Sequence, residues 1–514
     1  MYRIGIDVGG TNTDAVLMNG DDVVHAVKTA TSADVLAGAL AVLRKLISGS
    51  GVRASDVRAV MIGTTHFTNA IIERRSLAPV GVIRLALPAT QSLPPLSGWP
   101  ADIAAAVRAQ AHIVAGGFEF DGREIAPVSR QEIHAAAEAF AEKKIRHLAV
   151  SGVFSSINDA QEKQAAEFVR EVMPNARITL SSEVGRVGLL ERENAAILNA
   201  ALGDLGESII AAFTSAVAQA GIDAPFFLTQ NDGTLMSAER TARFPILTVA
   251  SGPTNSMRGA AFLSKESDAI VVDIGGTTTD VGVLQKGFPR AAGTAVDVGG
   301  VRTNFRMPDV YSIGLGGGTC ISADFERIGP ESVGYRLHDE ALIFGGRALT
   351  ASDVAVAAGM AQFGNREYVS HLDGAGVAAC IESMQKMLFA AVDRVRTSDT
   401  AVPLLVVGGG SILVRDCIGH LVAQRPAHFA VANAVGAAMA QVSGECDRLF
   451  KLEEIERTAA IAEATGEAKH AAIAGGARPE TLVVVDVEDL PLAYLAGNVI
   501  RIRVKVVGEL LLPG

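Results

Sequence analysis

Residues 6–17 read IDVGGTNTDAVL, and residues 272–284 read VDIGGTTTDVGVL. Asp7, Gly9, Gly10, Thr11, Thr13 and Asp14 match Asp273, Gly275, Gly276, Thr277, Thr279 and Asp280, every pair offset by the same 266 positions. A single Asp-x-Gly-Gly arises readily by chance. Two copies that agree at these positions and share flanking apolar strands indicate a chain built of two related halves. In each copy an apolar run enters a glycine-rich turn and leaves as a second run alternating toward Val and Leu. That grammar predicts a β-hairpin, not a strand followed by a helix.

A hairpin turn made of glycine and threonine presents several backbone N–H groups to one point, and the threonines add hydroxyl donors. Phosphate suits such a turn, and two facing turns would grip a nucleoside triphosphate from both sides. Gly9, Gly10, Thr11, Asn12 and Thr13, with Gly275, Gly276, Thr277 and Thr278, are therefore the expected ATP contacts. Asp7 and Asp273 end the incoming strands, where each can hold the waters of a magnesium ion, which takes only one or two carboxylates. Asp14 and Asp280 lie one strand further on. Either they orient a water or accept its proton, or they hold the hairpin by hydrogen bonds to the threonines; with Asp7 and Asp273 they form the candidate catalytic set.

Two further glycine turns follow apolar strands, SIGLGGGT at 312–319, with Gly316 and Gly317, and LLVVGGGS at 404–411. Gly408, Gly409, Gly410 and Ser411 read either as a strand-to-helix turn or as a platform for adenosine. Other nucleotide and nucleophile signatures are absent. There is no GxxxxGK followed by Ser or Thr, Thr319 breaks GxGxxG, and no GxSxG occurs. No two of the ten histidines stand closer than eight positions, which removes the His-x-His pair of a binuclear zinc amidohydrolase.

Between the copies, helical periods alternate with β-branched runs, an α/β pattern. Ser32 is the expected N-cap of a helix over 32–46, and Ser129 with Glu132 forms a capping box before a helix reaching Lys143. Strands are expected at 57–62, 148–153 and 226–228, and helices over 159–172 and, without a break, 189–220. The apolar run 429–442 contains Asn433 and Gln441 and reads as a buried helix. An Ala-rich charged helix from about Leu452 and two β-branched runs, 481–487 and 499–507, form a short α+β appendage.

Composition narrows the function. With 45 Lys plus Arg against 56 Asp plus Glu the net charge is -11, and no basic stripe offsets it, so no nucleic-acid partner is expected. The four cysteines, none in a CxxC pair, fit a reducing cytoplasm rather than a disulfide or zinc framework. Mean hydropathy is +0.30, yet no apolar run reaches the eighteen or so residues of a span, and the start lacks a secretory pattern; no membrane association is expected.

The paired Asp-x-Gly-Gly-Thr hairpins and the later Gly-Gly-Gly-Ser turn resemble the phosphate-1, phosphate-2 and adenosine motifs of the actin-like (ribonuclease H-like) ATPase superfamily. More narrowly, the chain resembles the hydantoinase A/5-oxoprolinase family, to which the acetone carboxylase β-subunit is also similar. The segments that carry this are IDVGGTNTD at 6–14, GTTHFTNAIIER at 63–74, LERENAAILNA at 190–200, QNDGTLMS at 230–237, SGPTNSMRGA at 251–260, VDIGGTTTD at 272–280 and SIGLGGGT. Departures occur at 328–346, IGPESVGYRLHDEALIFGG, where the family has Gly-Pro-x-Ser-Ala-Gly before Cys-Tyr-Gly, and at 229–235, TQNDGTL, where it has Gln-Ser-Asn-Gly-Gly.

The resemblance implies two actin-like halves, 1–185 and 186–450, with a nucleotide cleft between them and an appendage at 451–514. It implies an ATP- and Mg2+-dependent hydrolase of cyclic amides (hydantoin, 5-oxoproline or lactam) that phosphorylates the amide oxygen. It also implies an oligomer and a second hydantoinase-type subunit as partner. Thr64, Thr65, His66, Asn69, Arg192 and Asn231 are then the substrate-side candidates, although His66 also fits an exposed capping turn, Arg192 a solvated helix face and Asn231 a plain turn. An ATP-dependent ketone carboxylase subunit shares every one of these motifs. A non-metabolic actin-like ATPase, such as a chaperone or reactivating factor, would instead turn over ATP indifferently to small molecules and act on a protein client.

Overall fold

The computed structural model describes residues 1–512 except 33, 294, 397–401 and 493–497. Both repeats fold as the sequence predicts. Tyr2–Val8 pairs antiparallel with Asn12–Asn19, and Ala269–Ile274 pairs antiparallel with Thr279–Gln285. Each incoming strand also takes a parallel neighbour on its other side, Val57–Thr64 in the first half and Leu404–Val407 in the second. Leu404–Val407 is a continuous buried Leu/Val run and Val57–Thr64 is buried throughout except at Arg58, as expected of parallel strands covered on both faces.

The first hairpin belongs to a nine-stranded sheet that ends, on the far side, in Phe226–Thr229, Thr234–Ser237, Gln441–Lys451, Val499–Gly508 and the edge strand Val483–Pro491. The second hairpin lies within a seven-stranded sheet, flanked by Phe288–Pro289 and Val310–Ile313 on one side and Leu404–Val407 on the other. Residues 80–180 add a four-stranded, wholly parallel sheet in the order Gln110–Ala115, Val80–Leu87, His147–Gly152, Arg177–Leu180. The nine-stranded sheet thus crosses the divisions at 185/186 and 450/451. Phe226–Thr229, Thr234–Ser237, Gln441–Lys451, Val483–Pro491 and Val499–Gly508 complete the sheet begun by residues 2–30, and Ala460, Ala464, Ala468 and Ala472 of the helix Arg457–Ala474 pack against them. Arg306 ties these C-terminal strands to the second half through Glu445 and Asp486.

Local signals shift several boundaries. The first helix is Val35–Ser50, capped by Asp34, which accepts from the Ala37 N–H; the Ser32 hydroxyl accepts instead from the Asp34 N–H and sets up the turn before the cap. Ser129 caps Arg130–Glu142, but Glu132 takes the Ala115 N–H instead of closing the box. The stretch 189–220 is two helices, Leu189–Ala201 and Gly203–Gln219, bent by 51°. The run 429–442 yields a 3-10 turn, Phe429–Val431, and the short helix Ala432–Ala438 before the chain turns into a strand at Gln441, and the charged helix starts later than expected, at Arg457. Gly374–Val395 is long and apolar enough by composition to cross a membrane, but its Val377, Cys380, Ile381, Met384 and Leu388 face pack into the second half's core.

Two helices seat the halves together. Ser251–Ser264 crosses Ala432–Ala438 at backbone contact: a Cβ on Gly259 would stand 1.8 Å from the Ala432 carbonyl oxygen, and one on Gly436 1.8 Å from that of Asn255. No side chain fits either crossing point. This closeness delivers Asn255 and Asn433 to the end of the first strand.

Candidate functional site

The two hairpin turns meet. Thr11 and Thr277, at equivalent places in the repeats, lie with their hydroxyl oxygens 3.3 Å apart. Each turn is closed by the same hydrogen bond, Gly9 N–H to the Asn12 carbonyl at 3.1 Å and Gly275 N–H to the Thr278 carbonyl at 2.9 Å. The N–H groups of Gly10, Thr11, Gly276 and Thr277 have no acceptor among the described residues. Each turn thus keeps two unpaired backbone donors, the kind of group that holds an anion.

Asp7 and Asp273 stand at the ends of the two incoming strands, and each is crowded by a glycine of the parallel neighbour. A Cβ on Gly63 would lie 2.5 Å from Asp7 Oδ1, and one on Gly408 2.3 Å from Asp273 Oδ1. Only glycine admits the carboxylate in both halves, and Gly408 also has φ +87°. Asp7 accepts from Asn255 Nδ2 at 3.4 Å and Asn433 Nδ2 at 3.0 Å; the same Asn433 amide reaches Asp14 at 2.9 Å. Burial, reinforced by the Asp14 charge, pushes the Asp7 carboxyl up to about 6 against the asparagine donors and Lys28. Burial pushes Asp273 up to about 7; the Ser256 hydroxyl opposes this, while Asp280, Asp7 and Asp14 add to it.

Asp14 and Asp280 do not bind the hairpin threonines. Asp14 is ion-paired with Lys28, and Asp280 accepts from the Ser312 hydroxyl, while burial raises its proton affinity. Thr13 bonds Thr31 at 3.2 Å, and Thr279 donates to the Leu315 carbonyl at 2.6 Å, so the threonines lock the turns to neighbouring chain.

The glycine loops divide in role. Gly317 and Gly318 donate their N–H groups to the carbonyls of Gly275 and Gly276, so the 316–318 loop braces the second hairpin and its donors are not free for phosphate. The 408–411 turn packs on the same hairpin: a Cβ on Gly410 would lie 2.6 Å from the Gly275 oxygen, whereas the one nearby group at Gly409 is Lys28 Nζ, 3.8 Å away. Gly409 presents the open side of that turn, and Ser411 is buried beneath it.

Of the substrate-side candidates, the first group joins the site. Thr65 donates through N–H and hydroxyl to the Val8 carbonyl at 3.1 and 3.2 Å, beside Gly9. Thr64 holds His66 Nδ1 at 2.5 Å, burial pushes that imidazole down, and Asn69 lies on the same short helix, His66–Ile72. Arg192 lies elsewhere. It is buried, with its guanidinium committed to the Ser181 hydroxyl and the carbonyls of Gly152, Arg186 and Gly188, so it is neither a solvated face nor open to a ligand. Asn231 is buried too. Its carbonyl accepts from Thr254, one residue from Asn255, and it lines a cavity of about 590 Å³ with Asp232, Arg306 and Lys505.

Sequence reasoning missed Asn255, Asn433, Lys28 and Ser312. Asn433 had a signal: a lone amide within a buried Ala/Gly/Val run needs a partner.

Residues 3–173 match the hydantoinase/oxoprolinase N-terminal region, and residues 192–421 match hydantoinase/oxoprolinase. The chain belongs to the hydantoinase/oxoprolinase family. Among its relatives, the caprolactamase subunit alpha of Pseudomonas jessenii is 26% identical over 70% of this chain and 54% of its own length. The acetophenone carboxylase gamma subunit of Aromatoleum aromaticum is 24% identical over 46% of this chain and 34% of its own. An uncharacterized protein of Methanocaldococcus jannaschii is 25% identical over 65% and 53%. The chain thus spans about half the length, or less, of the curated relatives it matches.

Two solved structures share the fold. The ATP-dependent caprolactamase of P. jessenii has a TM-score of 0.78 at 18% identity, covering 99% of this chain and 87% of that one. Nucleotide-free acetone carboxylase has a TM-score of 0.72 at 16% identity, covering 100% and 89%. The family member described here therefore has their mixed α/β fold, with the duplicated actin-like arrangement that its paired hairpins display.

Proposed function

We propose that this protein is an ATP- and Mg2+-dependent hydrolase of cyclic amides of the hydantoin, 5-oxoproline or lactam type, acting as one subunit of a complex. The observation that carries the reading is the meeting of two equivalent donor turns, Gly9–Thr13 and Gly275–Thr279 in the sequence, each backed by a buried or half-buried aspartate. Membership of the hydantoinase/oxoprolinase family and the likeness to a caprolactamase subunit support the substrate class.

A cyclic amide resists hydrolysis because resonance with its nitrogen leaves the carbonyl carbon a weak electrophile, and phosphorylating the oxygen activates that carbon. Transfer of the γ-phosphoryl of ATP to that oxygen forms a new O–P bond and expels ADP; water then attacks the ring carbon, the ring C–N bond breaks as the nitrogen takes a proton, and a second water attacks the resulting acyl phosphate at carbon, breaking its C–O bond and releasing phosphate. The work left to the protein is positioning and neutralising charge. The N–H groups of Gly10, Thr11, Gly276 and Thr277 hold phosphate oxygens, and the 408–411 turn offers Gly409 as the floor for the adenosine. Asp14, held by Asn433, orients the attacking water or takes its proton, and Thr64, His66 and Asn69 edge the substrate side.

The donor set fits a magnesium ion held largely through water. No group of three or more His, Cys, Asp or Glu converges among the described residues. Asp7 and Asp273 instead supply single carboxylates whose charge is poorly compensated, and the buried Asn255 Oδ1 beside Asp7 has no partner. Bound there, magnesium would neutralise phosphate charge.

A second reading, an ATP-dependent carboxylase subunit, draws on the acetophenone carboxylase relative and the acetone carboxylase fold. Phosphate release from Mg-ATP, measured with hydantoins, 5-oxoproline, other lactams, and ketones with bicarbonate, separates the two. Stimulation by a cyclic amide, lost in Asp7→Ala, supports the hydrolase; stimulation by ketone with bicarbonate alone replaces it with the carboxylase.

A further inference from the structure

Lys28 belongs to none of the repeated motifs, yet it stands in the cleft. It sits on Asp22–Ala30 directly opposite Asp14 in the antiparallel register and is ion-paired with that carboxylate. Its ammonium also lies 3.8 Å from the place a Cβ on Gly409 would occupy. The side chain therefore reaches from the phosphate hairpin of the first half to the open side of the 408–411 turn of the second. It keeps 37% of its side-chain surface exposed, so the ammonium is not enclosed by its pair.

The charge around it asks for such a group. Asp7, Asp14, Asp273 and Asp280 put four carboxylates at the two hairpins, and Lys28 is the cation that acts on Asp7. A nucleoside triphosphate would bring several more negative charges to the same place. We propose that Lys28 binds the phosphate chain of the nucleotide, turning from Asp14 toward a phosphate oxygen as the ligand enters. The proposal rests on the nucleotide reading above and names a contact that the glycine turns do not provide. A lysine suits the task because its compact ammonium rides on a flexible stem and carries three donors, so one can stay on Asp14 while another reaches the ligand. Asp14 retains the Asn433 amide throughout, so its carboxylate stays placed when the ammonium moves.

The test is calorimetric titration of the full chain with ATP, ADP and adenosine for the wild type, Lys28→Met and Lys28→Arg. Loss of a hydrogen bond between charged groups weakens ATP binding about tenfold to a hundredfold. The expectation is that loss for ATP in Lys28→Met, a smaller loss for ADP, unchanged adenosine binding, and partial recovery in Lys28→Arg. If Lys28→Met leaves Asp14 too poorly paired to fold, the double variant Asp14→Asn/Lys28→Met removes both charges, and its ATP affinity is read against Asp14→Asn alone. ATP affinity within about twofold of the reference, or an equal loss for adenosine, overturns the role of Lys28. A wild type that binds adenosine and ATP equally overturns it as well, and a wild type that binds neither overturns the nucleotide reading itself.

Discussion

The hydroxyl oxygens of Thr11 and Thr277, 266 positions apart in the chain, lie 3.3 Å from one another. That contact brings the two repeats to one point and makes the spacing between the turns sensitive to a single atom. A Cβ on Gly276 would stand 2.6 Å from Thr11 Oγ1. Gly276→Ala should therefore wedge the turns apart without touching either core. Misplacement on this scale costs up to about a hundredfold in rate, so ATP turnover should fall at least about tenfold while the melting temperature moves by less than about 2 °C. Phosphate release and a melting curve on the same preparation check this; wild-type turnover in Gly276→Ala would show that the turns do not act together.

Asn433 is the amide shared by Asp7 and Asp14. In Asn433→Leu both carboxylates lose a donor, which costs about 1–3 kcal/mol for each group left unpaired. Because that amide opposes the rise of the Asp7 carboxyl to about 6, its loss should raise the value further and move the acid limb of the pH–rate profile to higher pH. Urea melts and the profile together test it. A destabilised protein with an unmoved acid limb would reduce Asn433 to packing.

Asp7 and Asp273 have folded-state values raised above the ordinary carboxylate, to about 6 and about 7. A raised carboxyl binds more protons in the native state than in the unfolded one between those limits. The stability it contributes is present below about pH 4 and is lost as pH rises through 6 and 7. The free protein should then melt at least about 1 °C lower at pH 8 than at pH 5, the effect of ~1 kcal/mol on a chain of this length. Added Mg2+ with nucleotide should recover more at pH 8 than at pH 5. Differential scanning calorimetry decides this; Asp273→Asn should flatten the dependence.

Much of this site was legible in the sequence because both hairpins carry their chemistry in the turn itself, where glycine, threonine and aspartate are each required locally. The repeat then implied the facing arrangement. What escaped was supplied from far along the chain. Asn255 and Asn433 reach Asp7 only because two helices cross at Gly259 and Gly436, and a crossing leaves no local period to read. Lys28 on a strand looks like any solvent-facing lysine until its antiparallel partner is known to be Asp14. The break at Leu202 between two helices was hidden by an unbroken apolar period, since both helices keep an apolar face toward the same core. The C-terminal strands were found, but their place in the first half's sheet depends on pairing between residues 441–451 and 499–508 that no short motif records.

Arg192 offers a contrast between a buried and a binding arginine. Its guanidinium supports Ser181 and three carbonyls from within the protein. Arg192→Met should cost at least about 3 kcal/mol by orphaning those acceptors, and the folded fraction should keep its KM for substrate. Urea denaturation beside initial-rate kinetics tests it, and a raised KM at unchanged stability would return Arg192 to the substrate site.

The proposed activity begins with phosphoryl transfer to the amide oxygen of a cyclic substrate. It predicts the fate of one atom. With a cyclic amide carrying 18O at its carbonyl, turned over with unlabelled ATP in unlabelled water, the phosphate released should contain one 18O per molecule, as read by mass spectrometry. Unlabelled phosphate, with the 18O retained in the ring-opened product, would contradict it.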